Sequence, residues 1–220
     1  FVLDGTGVLA NNVFVLSTSN SDITFDDLEI KDVEDSGTGF QAIYSEGNRV
    51  TVQNCYIHDV AVGAAEHFAH CVYIQDGADC IVQDNILDNC PGYTIQIFGG
   101  NPTNAIVRRN RCTDYANNSE TGNFVGAGIL MRSGSGHVAY NNICYQTGTP
   151  KAGAYGISMQ SGSNMSAFHN TVYNNIRGLN CQNSTDCDIR NNIAYNNTTD
   201  IFTTGATGLT NANNRTTDQI

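Results

Sequence analysis

The sequence has no tryptophan, two lysines and three prolines in 220 residues. No apolar run approaches the roughly 18 residues that a membrane span requires, so none is expected. The start, Phe1-Val2-Leu3-Asp4-Gly5, has no basic segment ahead of an apolar one and reads as a mature or trimmed terminus. There are eight cysteines but no Cys-x-x-Cys pair, which argues against a zinc knuckle or a thioredoxin motif. Gly-x-Ser-x-Gly, phosphate-loop and dinucleotide motifs are missing as well. Bases are scarce: 10 Lys+Arg stand against 21 Asp+Glu, for a net charge of −11. Phosphate affinity needs a basic footprint, so no nucleic-acid partner is expected.

Asparagine and glycine are abundant, at 28 and 22 residues. Both are poor helix formers, while Val, Ile, Tyr, Phe and Thr are spread along the whole chain, which argues against disorder. What remains is an all-β protein with many tight corners. A pattern of apolar, two residues, Asn, one residue, apolar begins at Phe25, Val52, Val82, Val107, Ala139, Ala167 and Ile189, with spacings of 27, 30, 25, 32, 28 and 22. Its fourth position is Asn85, Asn110, Asn142, Asn170 and Asn192 in five consecutive copies, after Leu28 and Cys55 in the first two. A second pattern, small-apolar-any-apolar, precedes most copies: Ala42-Ile43-Tyr44-Ser45, Cys71-Val72-Tyr73-Ile74, Thr94-Ile95-Gln96-Ile97, Gly128-Ile129-Leu130-Met131, Gly156-Ile157-Ser158-Met159 and Gly178-Leu179-Asn180-Cys181. Period-two alternation marks short strands with one buried face.

Short strands repeating near 27 residues, with no helical segment between them, predict a solenoid of stacked parallel rungs. Seven to eight rungs at about 4.8 Å each make a rod roughly 35 Å long. The Asn column is expected at a corner, bonding between rungs through its amides, with Gly and Asn supplying left-handed backbone. The runs Val107-Arg108-Arg109-Asn110-Arg111-Cys112, Ala139-Tyr140-Asn141-Asn142-Ile143-Cys144 and Ala167-Phe168-His169-Asn170-Thr171-Val172, alternating with Gly-Ile-x-Met strands, resemble the right-handed parallel β-helix of the pectin-lyase-like superfamily. The resemblance runs from about Val13 to Asn214 and implies one all-β, right-handed, single-stranded parallel β-helix over residues 1–220. That superfamily holds polysaccharide lyases, hydrolases, epimerases, tailspikes and non-catalytic surface proteins, so fold alone does not choose among them.

Three long inserts, roughly residues 59–69, 114–127 and 146–155, all precede a small-apolar strand. They are expected on one side of the rod, making the outer face of that strand the floor of a groove. Its outward residues are Tyr44 and Glu46, Tyr73 and Gln75, Gln96 and Phe98, Leu130 and Arg132, Ser158 and Gln160, Asn180 and Gln182. Amides and aromatics suit sugar hydroxyls and ring faces, so Tyr44, Gln75, Gln96, Phe98, Gln160 and Gln182 are the candidate substrate-binding residues. A solvated sheet face has a similar composition. The run Glu66-His67-Phe68-Ala69-His70 ends the first insert, and His67 with His70 lacks a third metal ligand.

Uronate β-elimination needs a cation on the carboxylate, a base for the adjacent proton and an acid for the leaving oxygen. His70 as base, Tyr73 as acid and Arg132 as neutraliser, with Lys151 reaching over from the third insert, make the candidate catalytic set. The His-Gly and Arg-x-Lys motifs of polygalacturonase-like enzymes are absent, Asn-x-Asp occurs only as Asn20-Ser21-Asp22 in an early segment, and the lone Asp26-Asp27 lies on another strand. Residues 1–100 hold 15 acids and 2 bases, and residues 101–220 hold 6 acids and 8 bases. Asp26, Asp27, Asp32 and Asp35 leave calcium as the one candidate cofactor, without a dense calcium-loop motif. Cys112 and Cys144 share an inward position on adjacent rungs, about 5 Å apart, and either bridge or stack as thiols. Cys80 and Cys187 share a position too many rungs apart to pair with each other.

Three functions stay open. One is an extracellular protein that binds an acidic polysaccharide and cleaves it as a lyase. Another is a structural or adhesive solenoid that self-associates through open rung ends. The third is a glycan-binding module without chemistry. A chain without caps is expected to be a fragment of a longer solenoid or a stacking subunit.

Overall fold

A computed structural model describes residues 1–7, 9–10, 12–35, 39–61, 68–116 and 126–216. Its described residues contain no helix. Three parallel eight-stranded sheets run the length of a right-handed β-helix, and Leu9–Ala10 pairs with Glu34–Asp35 in a fourth, two-stranded one. Each full rung contributes one strand to each large sheet. The front sheet holds the longest strands, including Gln41–Ser45, His70–Ile74, Tyr93–Ile97, Gly126–Arg132, Ala154–Gln160 and Arg177–Gln182. The side sheet holds three-residue strands such as Ile81–Gln83 and Val138–Tyr140. The back sheet holds others such as Ile86–Asp88 and Ile143–Tyr145.

The corners account for the composition. Left-handed backbone recurs at three corners of most rungs, and at a fourth position just after the front strand at Gly99, Ser133, Ser161, Asn183 and Gly205. Between front and side strands it falls on Asp22, Arg49, Asp79, Asn104, Gly136, Asn164, Asp186 and Gly208. Between side and back strands it falls on Asp27, Asn54, Asp84, Arg109, Asn141, His169, Asn191 and Asn213. After the back strand it falls on Asp32, Asp59, Asn89, Asp114, Asn174 and Asn196. Asp and Asn tolerate this conformation better than other non-glycine residues. Early rungs mostly use Asp and later rungs mostly use Asn, so much of the acidic bias of the first half is a corner choice. Glycine fills only two places in these three corner sets, Gly136 and Gly208, and two after the front strand, Gly99 and Gly205.

The repeated Asn follows the left-handed residue of the side–back corner and is buried. The Asn85 side-chain N–H donates to Asn110 Oδ1 at 2.9 Å and to Val52 O at 3.0 Å. Asn110 does the same to Asn142 Oδ1 and Val82 O, and the backbone N–H of each donates to the next amide oxygen. The chain of bonds continues through Asn170 and Asn192 to Asn214. Every polar atom of the buried amide is thereby used.

Asp26 accepts from Gln53 Nε2 (3.0 Å) and Asn54 Nδ2 (2.8 Å), and Asp32 faces Lys31 Nζ at 3.4 Å. Asp26 thus bonds to the neighbouring rung, and Asp32 to the adjacent residue of its own. Among the described residues no group of three or more His, Cys, Asp or Glu side chains is placed to hold a metal ion. Cys71 is bonded to Cys90, and Cys181 to Cys187. Cys112 and Cys144 face each other in register as buried free thiols, and burial raises the Cys144 pKa well above its ordinary value.

Asn142→Ala is expected to cost about 3 kcal/mol, because it strands the Val107 carbonyl and two donors of Asn110 in the interior. Asn214→Ala, at the partly buried end of the column, should cost about 1 kcal/mol. Urea denaturation of both variants measures the difference, and equal costs would contradict this role for the column.

Candidate functional site

The front sheet is not a simple alternation. In each central strand two successive residues face the core: Ala42 and Ile43, Cys71 and Val72, and their counterparts at 128–129, 156–157 and 178–179. The first of each pair is small because the back-sheet side chains lie directly below it. A Cβ on Gly128 would meet Cys144 Sγ at 2.9 Å, and one on Gly156 would meet Val172 Cγ1 at 2.9 Å. This double step divides the outer face into three rows. The first holds Gln41, His70, Tyr93, Ala127, Tyr155 and Arg177. The second holds Tyr44, Tyr73, Gln96, Leu130, Ser158 and Asn180. Continuing the register, the third holds Glu46, Gln75, Phe98, Arg132, Gln160 and Gln182.

Only the third row is open along its whole length. Arg132 is exposed and the other five are part-exposed. The second row closes in its middle, where Gln96 is 7% exposed and Ser158 and Asn180 are 0% exposed. Gln96 therefore belongs to the covered floor, a correction to its expected place on an open surface. Its Oε1 is buried without a hydrogen-bond partner.

At one end of the face, the Tyr44 hydroxyl lies 2.5 Å from Glu46 Oε1 and 2.8 Å from Gln75 Oε1, within donating distance of either. Tyr44 and Tyr73 meet edge to face at 5.4 Å. Burial, then the charges of Asp76 and Glu46, push the Tyr73 phenol up to about 12. Tyr44 is raised further by burial and by its bond to Glu46. Farther along the rod, the Arg132 guanidinium sits 4.8 Å above the Phe98 ring.

The expected catalytic set is only partly assembled. Tyr73 and Arg132 share the outer face, two rungs apart, or about 10 Å. His70 is adjacent but covered: it is 2% exposed, packs edge to face on Tyr73 at 5.4 Å, and its Nδ1 accepts from the Tyr93 backbone N–H at 3.4 Å. A base for a sugar proton must reach that proton, and this imidazole is covered on the outer face, against Tyr73 and Tyr93. Lys151 is not on the groove. It lines a separate cleft of about 400 Å³ at the back corner, with Asp59, Asp88, Asn89, Asp114 and residues 146–149. Glu66 and His67 lie outside the described residues.

A family model described as "Right handed beta helix region" matches residues 5–118, just over half of the chain. The chain belongs to this β-helix family. No curated protein matches the sequence. Among solved structures, the β-helix resembles the Dettilon tailspike protein at 16% identity and a TM-score of 0.52, covering 84% of this chain and 44% of that one. It also matches a lacto-N-biosidase from Eubacterium ramulus at 11% identity and a TM-score of 0.49, covering 90% and 51% of the two chains. A mannuronan C-5 epimerase A-module from Azotobacter vinelandii matches at 9% identity and a TM-score of 0.47, covering 89% and 61%. The chain spans about half the length of these structures.

The sequence reading of the β-helix missed most of the first outer row. Arg177 stacks on Tyr155 and on Phe202 of the following strand, with its guanidinium carbon 4.8 and 3.6 Å from the two ring centres. The available signal was the small residue that marks the double step. It shifts the outward positions from two residues before the second row to three.

Both raised phenols hold their protons more tightly in the folded state than in the unfolded chain. The unfolded state ionises first, so their stabilising contribution is complete below about pH 10. It is lost as the pH rises towards about 12, through the folded value of Tyr73. In an alkaline ultraviolet titration, wild type and Tyr73→Phe should show equal phenolate signals at about pH 11. A smaller signal in the variant would place the Tyr73 pKa near its ordinary value.

Proposed function

We propose that this β-helix protein binds a polysaccharide along the outer face of its front sheet, with an acidic glycan as the preferred ligand. The third outer row carries this reading: Glu46, Gln75, Phe98, Arg132, Gln160 and Gln182 stand in register on successive rungs and remain accessible. Amide side chains donate to and accept from sugar hydroxyls. The part-exposed Phe98 ring adds apolar contact for a pyranose, and Arg132, stacked on it, matches a carboxylate in charge and fork geometry. The rise of about 4.8 Å per rung is comparable to the length of a sugar residue, so a chain lying along the rod meets a new side chain at each residue. Two disulfides favour an oxidising, extracellular setting.

Cleavage by β-elimination is the second reading, favoured by Tyr73 alone. Its phenol is part-exposed on the outer face and protonated at neutral pH, so it would serve as the acid that protonates the leaving oxygen. Arg132 would neutralise the uronate. Neither His70 nor Lys151 is placed to serve as base, so binding is the stronger claim.

Phe98→Ala and Arg132→Gln should each weaken binding of a pectate or alginate oligosaccharide about tenfold, near 1.4 kcal/mol. Only Arg132→Gln should also flatten the salt dependence. Calorimetric titration checks both, and unchanged affinity in both variants would refute the surface assignment. The cleavage reading requires a rise in the ultraviolet absorbance of an unsaturated sugar on an acidic glycan, lost in Tyr73→Phe.

A further inference from the structure

The first outer row contains a cation with no charge partner among the described residues. Among the described residues Arg49 pairs with Asp22, Arg109 with Asp84 and Arg190 with Asp188, whereas Arg108, Arg111, Arg132, Arg177 and Arg215 have no ion pair, and of these five only Arg177 lies over two aromatic rings. Among the described residues no carboxylate lies within ion-pair distance of Arg177. Its guanidinium is instead clamped between Tyr155 and Phe202, at 4.8 and 3.6 Å from the ring centres. One side-chain N–H donates to Asn180 Oδ1 at 3.4 Å, and Asn180 is itself fixed by donating to Ser158 Oγ at 2.7 Å. Arg177 is half-buried, while Tyr155 is 8% exposed and Asn180 is fully buried.

Stacking on both faces leaves a guanidinium only its edge for hydrogen bonding. That edge carries five N–H donors in a planar fork, suited to two carboxylate oxygens. One donor is used here. Because the side chain is already immobilised, little further rotamer entropy is lost when an anion binds.

We infer that Arg177, clamped between Tyr155 and Phe202, forms an anion subsite for the carboxylate of a uronosyl residue. This rests on reading the front face as a glycan-binding surface, and it narrows the substrate class to chains with more than one acidic sugar. Arg132 lies two rungs back and five residues across the sheet, which puts the two backbone positions roughly 20 Å apart on a diagonal. A single sugar cannot reach both, so a chain crossing the face would present acidic residues to each in turn.

The test is nuclear magnetic resonance of the arginine side-chain Nε–H signals during titration with glucuronate, inorganic sulfate and glucose, alongside calorimetry with uronate and neutral oligosaccharides. The Arg177 signal should move with glucuronate and not with glucose. Arg177→Gln should weaken uronate oligosaccharide binding about tenfold, and Arg177→Lys should recover only part of the loss, since it keeps the charge without the fork. Neutral oligosaccharides should change less than about twofold. Equal losses for acidic and neutral ligands would show a structural role and overturn the inference. So would a signal that moves with sulfate alone, or one that ignores glucuronate. If glucuronate moves the Arg177 signal but no oligosaccharide binds, the subsite stands and the polysaccharide reading fails.

Discussion

The hydrogen bond from each buried asparagine amide to the next rung is the interaction on which the rest of the molecule depends. The corner after the side strand turns sharply, and its backbone groups cannot all find partners within one coil. The amides of Asn85, Asn110, Asn142, Asn170 and Asn192 meet that need, each bonding to a carbonyl of the preceding rung and to the amide oxygen of the following one. Identical amides must stack for this to work, which fixes the register of neighbouring rungs. Register then fixes everything outside: a one-residue slip would turn core residues outward along a whole strand.

That fixed register gives the front sheet its functional character. Rows of outward side chains line up without dedicated loops to hold them. The double inward step moves one row away from the other two, and the small residues Gly128, Gly156 and Gly178 allow it by leaving room above Cys144 and Val172. The outcome is a face with a covered middle, an accessible row of amides and aromatics on one side and a clamped arginine on the other. The back sheet differs. Its outer face exposes Tyr56, Ile86, Ile143, Tyr173, Ile193 and Tyr195, a more apolar surface without the row of amides that the front sheet carries.

The fold was legible in the sequence because a solenoid writes its period directly into the chain. Asn at five successive fourth positions and the small-apolar strands located the side and front sheets, and the outward directions of the second and third rows followed from alternation. The first row was not legible, because the double step breaks period two and hides Tyr155 and Arg177 from a pattern count. Lys151 was misplaced for a different reason: an insert's path depends on what it packs against, and this residue came to rest beside Asp59 and Asp114. His70 was assigned to the right strand and the right face, but its burial under neighbouring rings is a tertiary property with no local mark. The corner chemistry was half legible. Asn was foreseen at the turn, while the left-handed residue is the one just before it, and Asp fills that place in several early rungs.

Footprinting by amide hydrogen exchange, with and without an acidic oligosaccharide, tests the central claim most directly. The account predicts added protection along the front sheet, in segments 73–76, 96–100, 130–133, 158–161 and 177–182, with the back sheet unchanged. Protection confined to the apolar back sheet around Ile86, Ile143 and Ile193, or none on either face, would contradict it.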